Sequence, residues 1–232
     1  MIDAGWLRRL GAHNAEVYAT ALQASCTEYG IVSERAVASF VANVLHETQM
    51  FVTLVENMNY SVQGLLATFP SHFDGSDATR LGRTASHPAD QRLIAERVYG
   101  GRMGNRPEGS GDGWAFRAHG GLGLTGRTNF EHYAAIFGKD LWEMPAWLLT
   151  PEGACRSAAR FFVDRGCLPL AELGQYVAVR EKINGGQNGL DDVLRITRAA
   201  LSFAPRPVAQ VTPQTSEADA LNDAELARTR SA

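Results

Sequence analysis

Cysteine is scarce in this sequence, which has only three in 232 residues: Cys26, Cys155 and Cys167. The number is odd and no two of them form a C-x-x-C pair, which argues against a disulfide framework and suits a reducing compartment. Cys155 falls at helical spacing among small and aromatic apolar residues, including Phe161 and Phe162. We therefore predict that Cys155 is a core thiol and not a nucleophile.

The sequence also lacks long apolar runs and a strong net charge. Its apolar runs are broken within a few residues, so no segment predicts a transmembrane span. The opening residues, MIDAGWLRRLGAHNAE, lack the basic, apolar and small-residue order of a Sec signal peptide. A formal charge of −3 gives no general attraction to nucleic acid or anionic membranes. We expect synthesis in the cytoplasm, no stable membrane insertion and no nucleic-acid partner.

Helical periodicity dominates what is present. Ser33 is predicted to cap a helix that follows it, and Thr150 to cap another, with Pro151 at its first position and Gly166 at its end. A third helix is predicted to begin with a capping box of Thr128 and Glu131 and to close at Gly138, and a fourth covers 189–203. From residue 204 onward the composition turns to Pro, Thr, Gln and Ser. This change divides the chain into a domain at 1–204 and a disordered tail at 205–232 with a short helix near 219–228.

The stretch HGGLGLTGRTNFEHY (119–133) spells G-x-G-x-x-G with Gly121, Gly123 and Gly126. A dinucleotide-binding loop needs an apolar strand before the glycines and a parallel βαβ unit around them. Here GWAFRA precedes the glycines, and no series of strands alternates with helices. The sequence therefore argues against nucleotide binding.

Two carboxylates are the stronger candidates for chemistry. His46 and Glu47 begin like a zinc-binding H-E-x-x-H, but Met50 replaces the second ligand, so we predict no metal site there. Glu47 lies at the margin of the apolar helix stripe, where partial burial favours the neutral carboxyl of a general acid. The alternative is a solvated glutamate at a helix end.

Glu56 comes nine residues after Glu47. One continuous helix would place the two on opposite sides and roughly 13 Å apart along its axis. We therefore predict that the chain leaves the helix between them, which the turn-prone ENMNYS segment favours. Two carboxylates facing each other across a cleft are the equipment of glycoside hydrolysis.

Six segments together resemble the family 19 glycoside hydrolases, which include plant-type chitinases and many phage endolysins; the endolysin branch is the more similar. The segments are LHET (45–48), ENMNYS (56–61), FPSHF (69–73), RVYGGRMGNRPEGSGDGW (97–114), LTGRTNF (124–130) and INGGQNGLDD (183–192). The resemblance covers roughly residues 30–203. It implies a mainly α-helical, two-lobed, lysozyme-like α+β domain with a small β element beside the cleft.

The resemblance also implies roles for single residues. Glu47 matches the general acid, Glu56 the general base, and Thr125 a hydroxyl that helps to hold the attacking water. Three further residues match sugar-binding positions: Tyr60, Asn129 and Asn184. The family mechanism is inverting, so the carboxylates are expected to stand about 6.5–9.5 Å apart. It uses no cofactor and no metal, and a monomer is expected.

Some positions depart from the family pattern. Ala118 and His119 replace a Gly-Arg pair, Gly123 replaces a glutamine, and Val193 replaces an arginine after GLxD. Each change removes a polar group, and each such loss can lower a rate by about 10²–10³ if the group acts in the transition state. His119 and Arg195 are the candidates for replacing the polar groups that these changes remove.

The sequence thus predicts an endolysin that cleaves β-1,4 bonds between N-acetylmuramic acid and N-acetylglucosamine in peptidoglycan, reaching the wall after release through a holin-type pore. One alternative is a chitinase acting on N-acetylglucosamine polymers. A second is a carbohydrate-binding relative with weakened catalysis, suggested by the departures above. A third is an effector or virion-borne lysin whose tail docks to a carrier.

Overall fold

The computed structural model describes residues 1–203, and helices form most of it. In chain order they are α1 (Ala4–Arg9), α2 (Ala15–Glu28), α3 (Glu34–Glu47), α4 (Val62–Thr68), α5 (Gly75–Leu81), α6 (Gln91–Tyr99), α7 (Asp112–Ala115), α8 (Arg127–Phe137), α9 (Met144–Trp147), α10 (Pro151–Asp164), α11 (Cys167–Glu172), α12 (Tyr176–Asn184) and α13 (Leu190–Ser202). The predicted tail at 205–232, with its helix near 219–228, lies outside the described residues. No helix within 1–203 is long and apolar enough to cross a membrane.

Helix ends follow local sequence signals in most cases. The Ser33 hydroxyl accepts the N–H of Ala36 at 3.2 Å, and Thr150 caps α10 as predicted, with Pro151 at the first helical position. The capping box predicted at Thr128 is wrong. α8 begins earlier, at Arg127, and the carboxylate of its Glu131 pairs with the Arg127 guanidinium at 2.8 Å. Thr128 therefore lies inside the first turn and cannot be the cap.

Two hydrophobic cores define two lobes, which confirms the two-lobed, mainly helical fold. The larger core surrounds α3, whose Phe40 meets Phe162 of α10 edge to face at 5.4 Å between ring centroids. The smaller core joins α4, α5 and α6 around Met58, Leu65 and Ile94. Glu47 ends α3 at the edge of the larger lobe, and the chain then crosses to the smaller one.

The β structure of the described residues is small. It consists of three isolated bridges: Val55 with His119, His119 with Leu124, and Ser61 with Arg83. The first two place the segment before Glu56 beside the turn that contains Gly123. This is the small β element that the resemblance implied, reduced to single bridges.

Cys155 is fully buried, so the prediction of a core thiol is confirmed. Burial raises the pKa of this thiol above its usual value, and it remains protonated at neutral pH. Cys26 and Cys167 are also buried and free.

Candidate active site

A cleft of about 350 Å³ opens where α3 ends, between the two lobes. It is lined by Glu47, Gln49, Thr53, Leu54, Val55, Glu56, Asn57, Ala118, Gly120 and Gly123. Both predicted carboxylates therefore face the same space. They do so because the chain leaves the helix between them, as predicted: α3 ends at Glu47, and the chain turns before it reaches Glu56.

Glu47 is held by an arginine that the sequence reasoning missed. The Nη1 group of Arg180 donates to Glu47 Oε1 at 2.5 Å, and only 2% of the Arg180 side chain is exposed. Two further bonds fix the guanidinium: Nε donates to the carbonyl of Asn188 at 2.7 Å, and Nη1 reaches Asn43 Oδ1 at 3.3 Å. The expectation for Glu47 considered burial alone, whereas the structure adds a buried guanidinium beside its carboxyl group.

Glu56 is held by a tyrosine and by the backbone. The Tyr99 hydroxyl lies 2.8 and 2.7 Å from the two carboxylate oxygens and donates to them. The N–H of Ala118 approaches Oε2 at 3.4 Å, and the Glu56 N–H donates to the Ala118 carbonyl at 2.9 Å. Burial, and then the charge of Glu56, raise the pKa of Tyr99 far above its usual value. Tyr99 therefore keeps its proton and remains a hydrogen-bond donor to Glu56.

A second arginine supports the backbone of Glu56. Arg117 Nε donates to the Glu56 carbonyl at 3.2 Å, and its guanidinium lies 3.5 Å from the ring centroid of Trp114. The buried carboxylate of Glu96 holds Trp114 in turn, because it accepts the backbone N–H of Trp114 at 2.7 Å. The glycine-rich loop before Trp114 is tied to the same carboxylate through the N–H groups of Gly109 and Gly111. The loop is thus part of the support for the cleft wall.

Thr125 and Asn129 lie together beside the cleft. The Thr125 hydroxyl donates to the Gly123 carbonyl at 2.8 Å, and Asn129 Nδ2 donates to the Thr125 carbonyl at 2.7 Å. Both side chains therefore brace the turn that carries Gly123. Neither lines the cleft itself, and their roles toward water and sugar stay predictions.

Tyr60 and Asn184 are not among the residues that line the cleft. Tyr60 is half-buried on the smaller lobe, edge-on to Phe69 at 5.2 Å between centroids. Burial, and then the charge of Glu56, raise its pKa. Asn184 is the exposed last residue of α12, with Nδ2 3.5 Å from the Asn188 carbonyl. Their sugar-binding roles also stay predictions.

The glycines of the G-x-G-x-x-G pattern, Gly121, Gly123 and Gly126, have structural roles in and beside the turn between His119 and Leu124. Gly123 has φ +65° between the bridged residues His119 and Leu124. A Cβ on Gly121 would lie 2.8 Å from the Ala154 carbonyl oxygen, and one on Gly126 would collide with Met103. Close packing and left-handed backbone therefore account for these glycines.

The two candidates for compensating the lost polar groups do not reach the site. His119 is 4% exposed, packs on Phe130 and holds the Arg117 carbonyl at 2.6 Å through Nδ1. Burial lowers the pKa of His119 to about 4, so it is a neutral core residue. Arg195 is largely exposed and pairs with Asp192 at 2.6 Å. The cation that pairs with Glu47 is Arg180.

No group of three or more His, Cys, Asp or Glu side chains within 1–203 is arranged to hold a metal ion. No protein-family model matches the chain. Among curated proteins, a glycosyl hydrolase family 19 domain-containing protein of Haemophilus influenzae is 32% identical to this chain over 202 residues. The match covers 87% of this chain and 96% of that relative.

Proposed function

The chain belongs to glycosyl hydrolase family 19, and from that premise we propose that it cleaves peptidoglycan at the β-1,4 bond between N-acetylmuramic acid and N-acetylglucosamine. Family membership makes it a glycoside hydrolase with a polysaccharide substrate. The endolysin type of activity, and release to the wall through a separate holin-type pore, are part of the proposal. The similarity of the six sequence segments to the endolysin branch supports the choice of wall polymer.

The observation that carries the proposal is that Glu47 and Glu56 line one cleft and have different partners. Glu56 accepts from Tyr99, which suits a general base that takes a proton from water. In this proposal Glu47, at the end of α3, protonates the glycosidic oxygen as general acid. Two carboxylates with a water between them are what an inverting glycosidase requires.

Arg180 fits this division of roles. A general acid becomes an anion as it transfers its proton to the leaving oxygen. The guanidinium already faces Glu47 Oε1, so the developing charge meets a fixed cation without further rearrangement. The interaction grows stronger toward the transition state, which is the condition for accelerating the chemical step.

Digestion of purified Gram-negative sacculi tests the proposal. Wild type, Glu47→Gln and the control Glu152→Gln, which alters an exposed glutamate of α10, would be compared by mass spectrometry of soluble products. We expect fragments with reducing-end muramic acid from wild type and the control, and none from Glu47→Gln.

Three other outcomes would contradict parts of the proposal. Reducing-end glucosamine would keep the two-carboxylate mechanism but change the bond that is cleaved. Products from chitin oligomers and none from sacculi would make the protein a chitinase. Wild type that sediments with sacculi but releases nothing would make it a binding protein on a hydrolase fold.

A further inference from the structure

Three consecutive non-glycine residues adopt left-handed backbone between the two carboxylates. Gln49, Met50 and Phe51 have φ values of +49°, +61° and +65°. L-residues adopt this conformation singly and at a cost, and such residues cluster at functional sites when the surrounding structure holds them there. The turn begins two residues after Glu47, at the mouth of the cleft.

The second and third residues of this turn have structural reasons for their conformation. Met50 accepts the N–H of His13 at 2.9 Å through its carbonyl. Phe51 is buried and stacks on Tyr18, with 3.8 Å between ring centroids and 5° between planes. These contacts anchor the turn to the larger lobe.

Gln49 is held through its backbone alone: its N–H donates to the His46 carbonyl at 3.1 Å, and its carbonyl accepts the Val52 N–H at 3.2 Å. Its side chain is exposed, lines the cleft, and forms no hydrogen bond with any residue in 1–203. Gly123, which lines the same cleft, presents no side chain there. The turn therefore places an amide with free donors and a free acceptor in the cleft that Glu47 and Glu56 share.

We propose that Gln49 is a specificity-determining residue that binds the acetamido group of an N-acetylated sugar. A glutamine amide can donate N–H to the acetamido carbonyl and accept the acetamido N–H, so one residue satisfies both polar groups of that substituent. A free amine on the sugar offers no acceptor carbonyl and breaks this pairing. The inference rests on the proposed function, because it assumes an amino-sugar polymer in the cleft.

The first test compares Gln49→Gly with Asn14→Gly in the full chain. Both positions are exposed and left-handed, and Asn14 lies at the start of α2, where its side chain makes no capping bond. We expect Gln49→Gly to lower kcat/KM on N-acetylated glycan about tenfold, the effect of one good hydrogen-bonded contact. Its thermal midpoint should hold or rise, because glycine relieves the backbone strain. Asn14→Gly should leave kcat/KM unchanged. A lower midpoint with unchanged kcat/KM in Gln49→Gly would overturn the proposal, since the residue would then be structural.

The second test asks whether the acetamido group is the partner. Kd values for N-acetylglucosamine hexamer and glucosamine hexamer would be measured in the Glu47→Gln background, with and without Gln49→Gly. We expect the Kd for N-acetylglucosamine hexamer to be about tenfold lower with Gln49 than with glycine at this position. The Kd for glucosamine hexamer should differ little between the two. Equal effects on both ligands would overturn the assignment. Because binding is measured without turnover, this result stands apart from whether wild type cleaves sacculi.

Discussion

Replacing Arg180 by methionine tests how the predicted acid is held. The side chain is almost fully buried. Its removal leaves Glu47 Oε1 and Asn43 Oδ1 without this donor, and leaves the Asn188 carbonyl with only the 3.5 Å contact to Asn184. Breaking a buried ion pair by removing one partner costs about 3–5 kcal/mol. The Glu47 side chain is 28% exposed, so water recovers part of that loss. We expect a decrease of about 3 kcal/mol in the free energy of unfolding.

A double-mutant cycle separates the pair from the other losses. In Glu47→Gln the residue cannot become an anion, so the removal of Arg180 cannot leave an unpaired charge at this position. The double variant should therefore be more stable than the sum of the single effects by about 1–2 kcal/mol. A control cycle on Arg156 and Glu28, a surface pair at 2.8 Å with both side chains more than a third exposed, should give less than about 1 kcal/mol.

Urea unfolding followed by circular dichroism and tryptophan fluorescence provides the free energies. Arg180→Lys, which keeps the charge but not the planar fork, should fall between wild type and the methionine variant. If the effects of Arg180→Met and Glu47→Gln add to within about 0.5 kcal/mol, the ion pair contributes nothing to holding Glu47 and the reasoning fails.

Three further predictions concern the surroundings of the cleft. Tyr99→Phe removes both contacts to the Glu56 carboxylate and should lower kcat at least about tenfold with little change in thermal midpoint; an unchanged kcat would remove Tyr99 from the support of the base. The pKa of His119 is about 4 against about 6.5 in an unfolded chain, so the unfolded state binds more protons between these values. Stability should therefore fall by up to roughly 3 kcal/mol as pH drops from 6.5 to 4, at 1.36 kcal/mol per pKa unit. Urea titrations of His119→Asn should lack most of that slope, and an equal slope would assign it to other groups. Gly121→Ala forces a Cβ against the Ala154 carbonyl and should cost about 1–3 kcal/mol, seen as a lower thermal midpoint; an unchanged midpoint would show that the backbone yields freely.

Features set by neighbouring residues were predictable from the sequence. Ser33 and Thr150 cap the helices that follow them because a hydroxyl before a helix can satisfy its free N–H groups locally. The end of α3 between Glu47 and Glu56 followed from the geometry of a helix, since no continuous helix brings positions nine apart onto one face. The capping box at Thr128 was also a local prediction, and it failed because Gly126, with φ +87°, lets the helix begin earlier.

Contacts between distant segments were not predictable. Arg180 lies 133 residues from Glu47, and nothing in VREKINGG distinguishes it from a surface arginine. Tyr99 reaches Glu56 across 43 residues. His119 was placed near the cleft by its neighbours in sequence, whereas the bridge with Leu124 turns its ring into the core. Side-chain direction at such positions depends on packing that the sequence pattern does not encode.

The family resemblance predicted the two carboxylates but not the residues and backbone conformation around them. It identified Glu47 and Glu56, and the structure brings both to one cleft. It offered no sign of the left-handed turn at 49–51, because glutamine, methionine and phenylalanine are unexpected at positive φ. The left-handed turn and the position of Gln49 in the cleft are seen only in the structure.

The central claim is that Glu47 and Glu56 act on opposite faces of the sugar with a water between them. Proton NMR of the first products from a soluble β-1,4-linked N-acetylated substrate tests this most directly. The account predicts that wild type releases the α-anomer first, before mutarotation. Glu47→Gln and Glu56→Gln are expected to release product far more slowly than wild type, if at all. The β-anomer as first product would mean a double displacement, through one carboxylate or through the acetamido group of the substrate, and would contradict the account.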